Sequence, residues 1–278
     1  MSRDKIAFIG GGNMTRAIVG GLISSGVTPE RLLIAEPSAE QRDRLGRDMP
    51  EVKTVSSNVE VATLVDCLVL AVKPQHIADV CREVRDAVRR SRPLIISIAA
   101  GVRSQDIDTW LGNGFAIVRV MPNQPALLRA GVSGMFANDR TSASQLAKAS
   151  DIMAAVGSVV HVSCEADIDT VTAVSGSGPA YFLLLVDILA SAAVKFGLEA
   201  SQARLLAVET AKGSAALAAA SGESMDVMIA RVRSPGGTTA AALDALDNEN
   251  IRDIFARALT AARDRAVELA DQAGSTKQ

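Results

Sequence analysis

The stretch KIAFIGGGNMT, residues 5–15, decides how the rest of the chain is read. Residues 5–9 read as a strand, and their apolar run Ile6-Ala7-Phe8-Ile9 is of the kind buried on both faces. It enters Gly10-Gly11-Gly12 directly, and the segment at 13–25 reads as a helix. Strand, glycine turn and helix in that order give the dinucleotide-binding fingerprint its mechanism. Gly10 permits the tight turn, and Gly12 has no side chain to keep a pyrophosphate from the backbone. The N–H groups at the helix start, from Asn13 and Met14 on, then face the anion, aided by the helix dipole. The alternative is a glycine turn with no ligand. The third glycine of the fingerprint is absent: Thr15 stands there, a change expected to shift the helix slightly without abolishing binding.

Outward from this turn, short apolar runs alternate with amphipathic segments. Strands are predicted at 32–36, 52–55, 67–72, 94–99, 116–121 and 132–137. A helix is predicted at 38–48 with Ser38 as N-cap, and another starts at Pro74, a residue favoured in first turns. The alternation predicts an α/β fold with a parallel, doubly wound Rossmann sheet. Beyond about Val162 no strand is predicted. Helices are expected instead at 178–196, 201–220, 224–231, 239–247 and 251–272, with Gly197 and Gly222 as helix-ending residues. The expected domains are therefore residues 1–162, dinucleotide-binding, and 163–278, all-helical. The helix at 178–196 is apolar nearly all round and must be buried, within its own domain or against a second subunit.

In an open parallel sheet, ligands sit beyond the carboxyl ends of the strands. Glu36 ends the second strand, where an acidic residue accepts hydrogen bonds from a ribose 2′-hydroxyl and repels a 2′-phosphate. That favours NADH, while Arg42 and Arg44 nearby could pair a phosphate and favour NADPH. A solvated strand-end charge is the plain alternative for Glu36. Ala71, Val72, Lys73 and Pro74 close the fourth strand and are expected to line the cofactor, with a surface role as the alternative for Lys73. Ala99 and Ala100, after the fifth strand, are small enough for a nicotinamide to lie flat.

Composition excludes several classes. The 278 residues are 48% apolar but only 3% aromatic, so the core is built from Ala, Val, Leu and Ile. With 29 basic and 31 acidic residues, the formal charge of −2 offers no basic stripe for nucleic acid. Cys67, Cys81 and Cys164 are scattered without metal or redox spacing, which fits a reducing compartment. His76 and His161 are the only histidines, so no metal site is expected. The N-terminal stretch lacks a signal-peptide pattern, and no run of 18 apolar residues is found, so a cytoplasmic protein without a membrane span is expected.

Two more glycine-rich segments each open a helix: SGSGPAY at 175–181 and SPGGTT at 234–239. Free N–H groups and hydroxyls at a helix start suit a carboxylate, although either segment alone also reads as simple capping. IGGGNM (9–14), AVKPQ (71–75), SIAAGV (97–102), RVMPN (119–123), SGSGPAY and SPGGTT occur in this order. Together they resemble pyrroline-5-carboxylate reductase, and the resemblance covers nearly the whole chain. It implies reduction of Δ1-pyrroline-5-carboxylate to L-proline with NADPH or NADH, and a helical domain that forms a homodimer or a larger ring of dimers. It further implies that N–H groups of Gly236, Gly237 and Thr238 bind the substrate carboxylate and that the Thr239 hydroxyl faces the imine nitrogen. Ser177 is expected to add a substrate contact, and Asn58 to lie near the adenosine ribose. Gln124 departs from the family, which usually has threonine there. Few histidines are no obstacle: a cyclic imine protonated by solvent is already electrophilic, and the enzyme mainly needs to hold hydride donor and acceptor together.

Overall fold

The computed structural model describes residues 5–63 and 65–275. They form two compact units, one running to Ser177 and taking in the chain again from Ala262, the other spanning Gly178–Ala261.

The first unit contains β1 (Ile6–Ile9), α1 (Asn13–Ser24), β2 (Leu32–Ala35), α2 (Ala39–Asp48), β3 (Lys53–Val55), α3 (Asn58–Ala62), β4 (Cys67–Leu70) and α4 (Pro74–Ser91). These are followed by β5 (Leu94–Ser97), α5 (Ser104–Leu111), β6 (Ile117–Met121), β7 (Gly131–Ala137), α6 (Ala143–Ala154), β8 (Gly157–His161) and α7 (Asp167–Val171). Eight strands make one sheet in the order β3-β2-β1-β4-β5-β6-β7-β8. Its first six positions have the dinucleotide-fold order, with the crevice where β1 lies between β2 and β4.

Alternation within the strands explains the two layers. Ala7 and Ile9 join Leu33, Leu68 and Ile95 in a core closed by α4 and α5. Ile6 and Phe8, pointing the other way, join Leu32, Ile34 and Val69 in a core with α1 and α6. Both faces are therefore covered, and each fully buried Ile, Leu or Phe contributes about 1.5–3 kcal/mol.

The sheet differs from the sequence reading in two features. The sheet is mixed: β7 runs antiparallel to β6. The link from Met121 to Gly131 holds only a short 3-10 turn at Gln124–Leu128, too little chain for a parallel crossover. An eighth strand, β8, pairs parallel with β7 at the sheet edge. It begins at Gly157, with φ +148°, where a Cβ would come within 1.9 Å of Gly131 O.

The second unit holds α8 (Gly178–Lys195), α9 (Ala200–Ala220), α10 (Met225–Val232), α11 (Thr238–Asn248) and the start of α12 (Ile251–Ser275). Gly197 takes φ +100° after α8, as expected of a helix-ending glycine, whereas α9 is closed by an extended Ser221 and Gly222 has no positive φ. Only Gly178 of α8 is buried in the single chain. Phe182, Leu183 and Leu189 are 67%, 65% and 54% exposed, so this unit does not wrap its own apolar helix. The helical stretch Asp167–Lys195 is long and apolar enough, by length and composition, to cross a membrane. Exposed apolar surface of this extent marks an interaction face.

Candidate functional site

A cleft of about 740 Å³ opens at the carboxyl ends of β1, β2 and β4. Its wall includes Gly10, Gly11, Gly12, Glu36, Asn58, Ala71 and Lys73, drawn together from four separate stretches of sequence. Gly10 has φ +102°, and a Cβ there would lie 2.7 Å from Ala71 O, so the turn requires glycine on two counts. At Gly11 a Cβ would meet Leu45 Cδ1 at 2.5 Å, a constraint the motif reading did not assign. Gly12 faces open space. It is the N-cap of α1 and supplies no side-chain bond, so the first N–H groups of that helix are left for another acceptor.

Thr15 is fully buried, and its hydroxyl donates to Gly10 O at 2.6 Å. The residue in place of the third glycine therefore ties the helix to the turn.

Glu36 accepts from Gly11 N through Oε2 and from Ser38 N through Oε1, both at 3.0 Å. Arg42 donates from Nη1 to the carbonyls of Glu36 and Pro37, each at 2.7 Å. Asn58 is 6% exposed, and its Nδ2 donates to Glu83 Oε2 at 2.8 Å. Its Oδ1 is buried with no partner, an orphaned acceptor in the wall of the cleft. Leaving such an atom unpaired costs about 1–3 kcal/mol, which a ligand hydroxyl would recover. An open glycine, an uncapped helix and an orphaned acceptor in one crevice fit a dinucleotide.

The remaining expected cofactor residues, Asn13, Met14, Pro74, Ala99 and Ala100, are not among those lining the cleft. Asn13 and Met14 form the first turn of α1. Pro74 starts α4 and lines an adjoining cavity of about 280 Å³. Ala99 and Ala100 follow β5, Ala99 buried and Ala100 exposed. The sequence reading missed His76, Asp79, Val80 and Glu83, which also line the cleft. Their spacing along α4 puts them on one helix face, the signal that was available.

SGSGPAY spans a wider helical turn and the start of α8. Thr172–Gly176 is a π-helical turn joining α7 to α8, closed by Ser177 N donating to Thr172 O at 2.8 Å. Such wider turns recur at functional sites. Asn123 Nδ2 donates to Ser175 O at 3.1 Å, while its Oδ1 accepts from Val132 N. Beneath the turn, Arg119 on β6 is 2% exposed and pairs with Asp169 of α7 at 3.2 Å and Glu165 at 3.4 Å. Glu165 also accepts from Ser104 N and Oγ.

In the second unit, Gly236 takes φ +71° and Gly237 N donates to Ser234 O at 3.0 Å, closing the turn. Gly237 is the N-cap of α11, again without a side-chain bond, and the first intrahelical bond runs from Ala241 N to Gly237 O. The N–H groups of Thr238 and Thr239 thus open this helix without intrahelical acceptors. Thr238 is exposed and Thr239 half-buried.

These features define a dinucleotide-binding oxidoreductase fold with an appended helical unit. A family profile described as NADP oxidoreductase, coenzyme F420-dependent, matches residues 5–101, and one described as pyrroline-5-carboxylate reductase dimerisation matches residues 165–269. The pyrroline-5-carboxylate reductase of Pseudomonas aeruginosa is 42% identical over 274 residues, covering 99% of this chain and 100% of the relative. A solved pyrroline-5-carboxylate reductase from Coxiella burnetii superposes with a TM-score of 0.92 at 42% identity, covering 97% of this chain and 99% of that one. The Plasmodium falciparum pyrroline carboxylate reductase, solved with NADP bound, superposes with a TM-score of 0.84 at 29% identity, covering 97% and 99%. The chain belongs to the pyrroline-5-carboxylate reductase family.

Proposed function

We propose that the chain reduces Δ1-pyrroline-5-carboxylate to L-proline with NADPH or NADH, the last step of proline biosynthesis. The observation that carries the nucleotide half is the uncapped α1 opening on a cleft whose wall holds the orphaned Asn58 Oδ1. When bound, the reduced nicotinamide supplies a hydride to the imine carbon, and the nitrogen carries the proton taken from solvent.

The chain's own residues bind and orient. Gly10, Gly12, Asn13 and Met14 receive the pyrophosphate, and Asn58 accepts from a hydroxyl of the adenosine ribose. Glu36, Ala71, Lys73, Pro74, Ala99 and Ala100 complete the nucleotide's surroundings. The turn of Gly236, Gly237 and Thr238 holds the substrate carboxylate, where the bond from Gly237 N to Ser234 O makes the Thr238 and Thr239 N–H groups the ready donors. The Thr239 hydroxyl orients the ring nitrogen as a hydrogen-bond partner, and Ser177 adds a contact. In this reading residues 1–162 serve the nucleotide, and residues 163–278 serve the substrate and pair with a second copy. The exposed apolar side chains of α8 support a homodimer, which can build into a ring of dimers. A cytoplasmic location is supported by the reaction's demand for reduced nicotinamide.

Replacing Thr239 with Ala tests the substrate half. A lost hydrogen bond to a charged group is worth about 1.5–3 kcal/mol. The expected result is a drop in kcat/KM for pyrroline-5-carboxylate of about tenfold or more, with nucleotide affinity unchanged. Undiminished turnover would remove Thr239 from the mechanism.

A further inference from the structure

We propose that this chain prefers NADH to NADPH and that Glu36 sets the preference, an inference that rests on the nucleotide reading of the cleft beyond β1. The Glu36 carboxylate is held on both sides, Oε2 by Gly11 N and Oε1 by Ser38 N, each at 3.0 Å. It is therefore pinned in the wall of the cleft at the end of β2. A carboxylate oxygen accepts more than one hydrogen bond, so both oxygens keep capacity for a ribose hydroxyl. A 2′-phosphate brought to the same place meets a fixed like charge that cannot swing aside without freeing two backbone donors.

The two arginines that could reverse this preference already have partners. Arg42 spends its Nη1 on the carbonyls of Glu36 and Pro37 at 2.7 Å. Arg44 lies 3.9 Å from Asp48, which Arg16 also holds at 2.5 Å. The cleft wall itself carries the carboxylates Glu36, Asp79 and Glu83, of which Asp79 pairs with Arg82 at 3.1 Å, against the single lysine Lys73. Its field opposes an additional phosphate, whereas a 2′-hydroxyl has an acceptor waiting.

Binding of each reduced nucleotide to the purified protein, followed by calorimetry, tests the inference without turnover. The unmodified chain is expected to bind NADH about tenfold or more tightly than NADPH, a difference of about 1.4 kcal/mol. Glu36→Gln keeps the size of the side chain and removes its charge, and Glu36→Ser clears the space. Both are expected to bring the NADPH-to-NADH ratio of Kd values to within about threefold of unity, chiefly by tightening NADPH. Raising the salt should narrow the ratio more in the parent than in Glu36→Gln, since the parent has the additional charge to screen. Equal or tighter binding of NADPH by the parent, or a ratio unmoved in both variants, overturns the preference and leaves the nucleotide site standing. Failure of both nucleotides to bind the parent overturns the site and the preference together.

Discussion

Substituting Asp169 with Asn removes one charge from a buried trio while leaving the volume unchanged, so the result reads electrostatics and not a cavity. Arg119 and Asp169 are 2% and 5% exposed, and their nearest charged atoms are 3.2 Å apart. At an effective dielectric of about 20, that separation corresponds to an attraction of roughly 5 kcal/mol. Removing one partner of a buried pair costs about 3–5 kcal/mol, because the other is left uncompensated. Here Glu165 remains 3.4 Å from Arg119, so the lower end applies, about 3 kcal/mol. For a chain of this size, that is a fall in Tm of about 6–12 °C. Thermal unfolding of Asp169→Asn, Arg119→Met and the double variant forms a cycle that isolates the pair. Coupling of at least about 1 kcal/mol is expected. Because α7 runs straight into the π-turn that carries Ser175 and Ser177, Asp169→Asn should also raise KM for the imino acid several-fold while sparing nucleotide affinity. A Tm within 2 °C of the parent at about 0.5 kcal/mol or less, or a cycle with no coupling, would refute the account of this network.

Two further outcomes follow from other buried groups. Cys81 is buried, and its thiol is pushed up to about 12 by that burial against a smaller opposing pull from Arg82, while Cys67 is also buried and Cys164 exposed. A thiol-reactive chromophore should therefore label Cys164 quickly in the native protein and the other two only on unfolding; fast labelling of more than one thiol contradicts this. Asp106 has its pKa raised from 3.8, first by burial and further by Glu165, with Arg103 opposing. Its Oδ2 has no partner. Between the ordinary and the raised value the folded chain holds the proton and the unfolded chain has lost it. The stabilisation this group gives is complete below 3.8 and vanishes as pH rises through the raised value. Asp106→Asn should thus unfold at a higher temperature than the parent at pH 7, with the gap closing on acidification. A lower Tm at pH 7 with a gap that does not change with pH would count against it.

What the sequence could reveal depended on how each element meets water. β1, β2, β4 and β5 are buried on both faces, and their unbroken Ile, Val and Leu runs were legible as strands. β8 is a half-exposed edge strand, GSVVH, whose short mixed pattern carries little apolar signal; what specifies it is the backbone of Gly157 beside Gly131. The antiparallel turn into β7 depends on linker length and an Asn123 bridge, neither of which is a periodicity. In the cleft, Gly10, Gly12, Glu36 and Asn58 could be picked out individually. Their convergence, the bond from Asn58 Nδ2 to Glu83 and the unpartnered Asn58 Oδ1 needed three dimensions. For α8 the sequence demanded burial without saying by what, because hydropathy records the need for a cover and not its source.

The two proposed anion positions share a physical device. α2, α3, α6 and α9 begin with Ser38, Ser57, Ser142 and Glu199, each of which accepts a backbone N–H of its own helix. Among the helices whose N-cap is described, only α1 and α11 begin with glycine, at Gly12 and Gly237, and neither has a side-chain cap. Glycine at an N-cap costs a helix only a few tenths of a kcal/mol relative to serine. In exchange it leaves the opening N–H groups and the positive end of the helix dipole facing outward. A serine at either position would satisfy the helix internally and place an oxygen where a phosphate or carboxylate oxygen has to come. α4, α5, α7 and α10 also lack a side-chain cap, but they begin with Lys73, Arg103, Ala166 and Ser224; only at Gly12 and Gly237 is there no side chain in an anion's way, and these are the two helix starts proposed for the nucleotide and the imino acid.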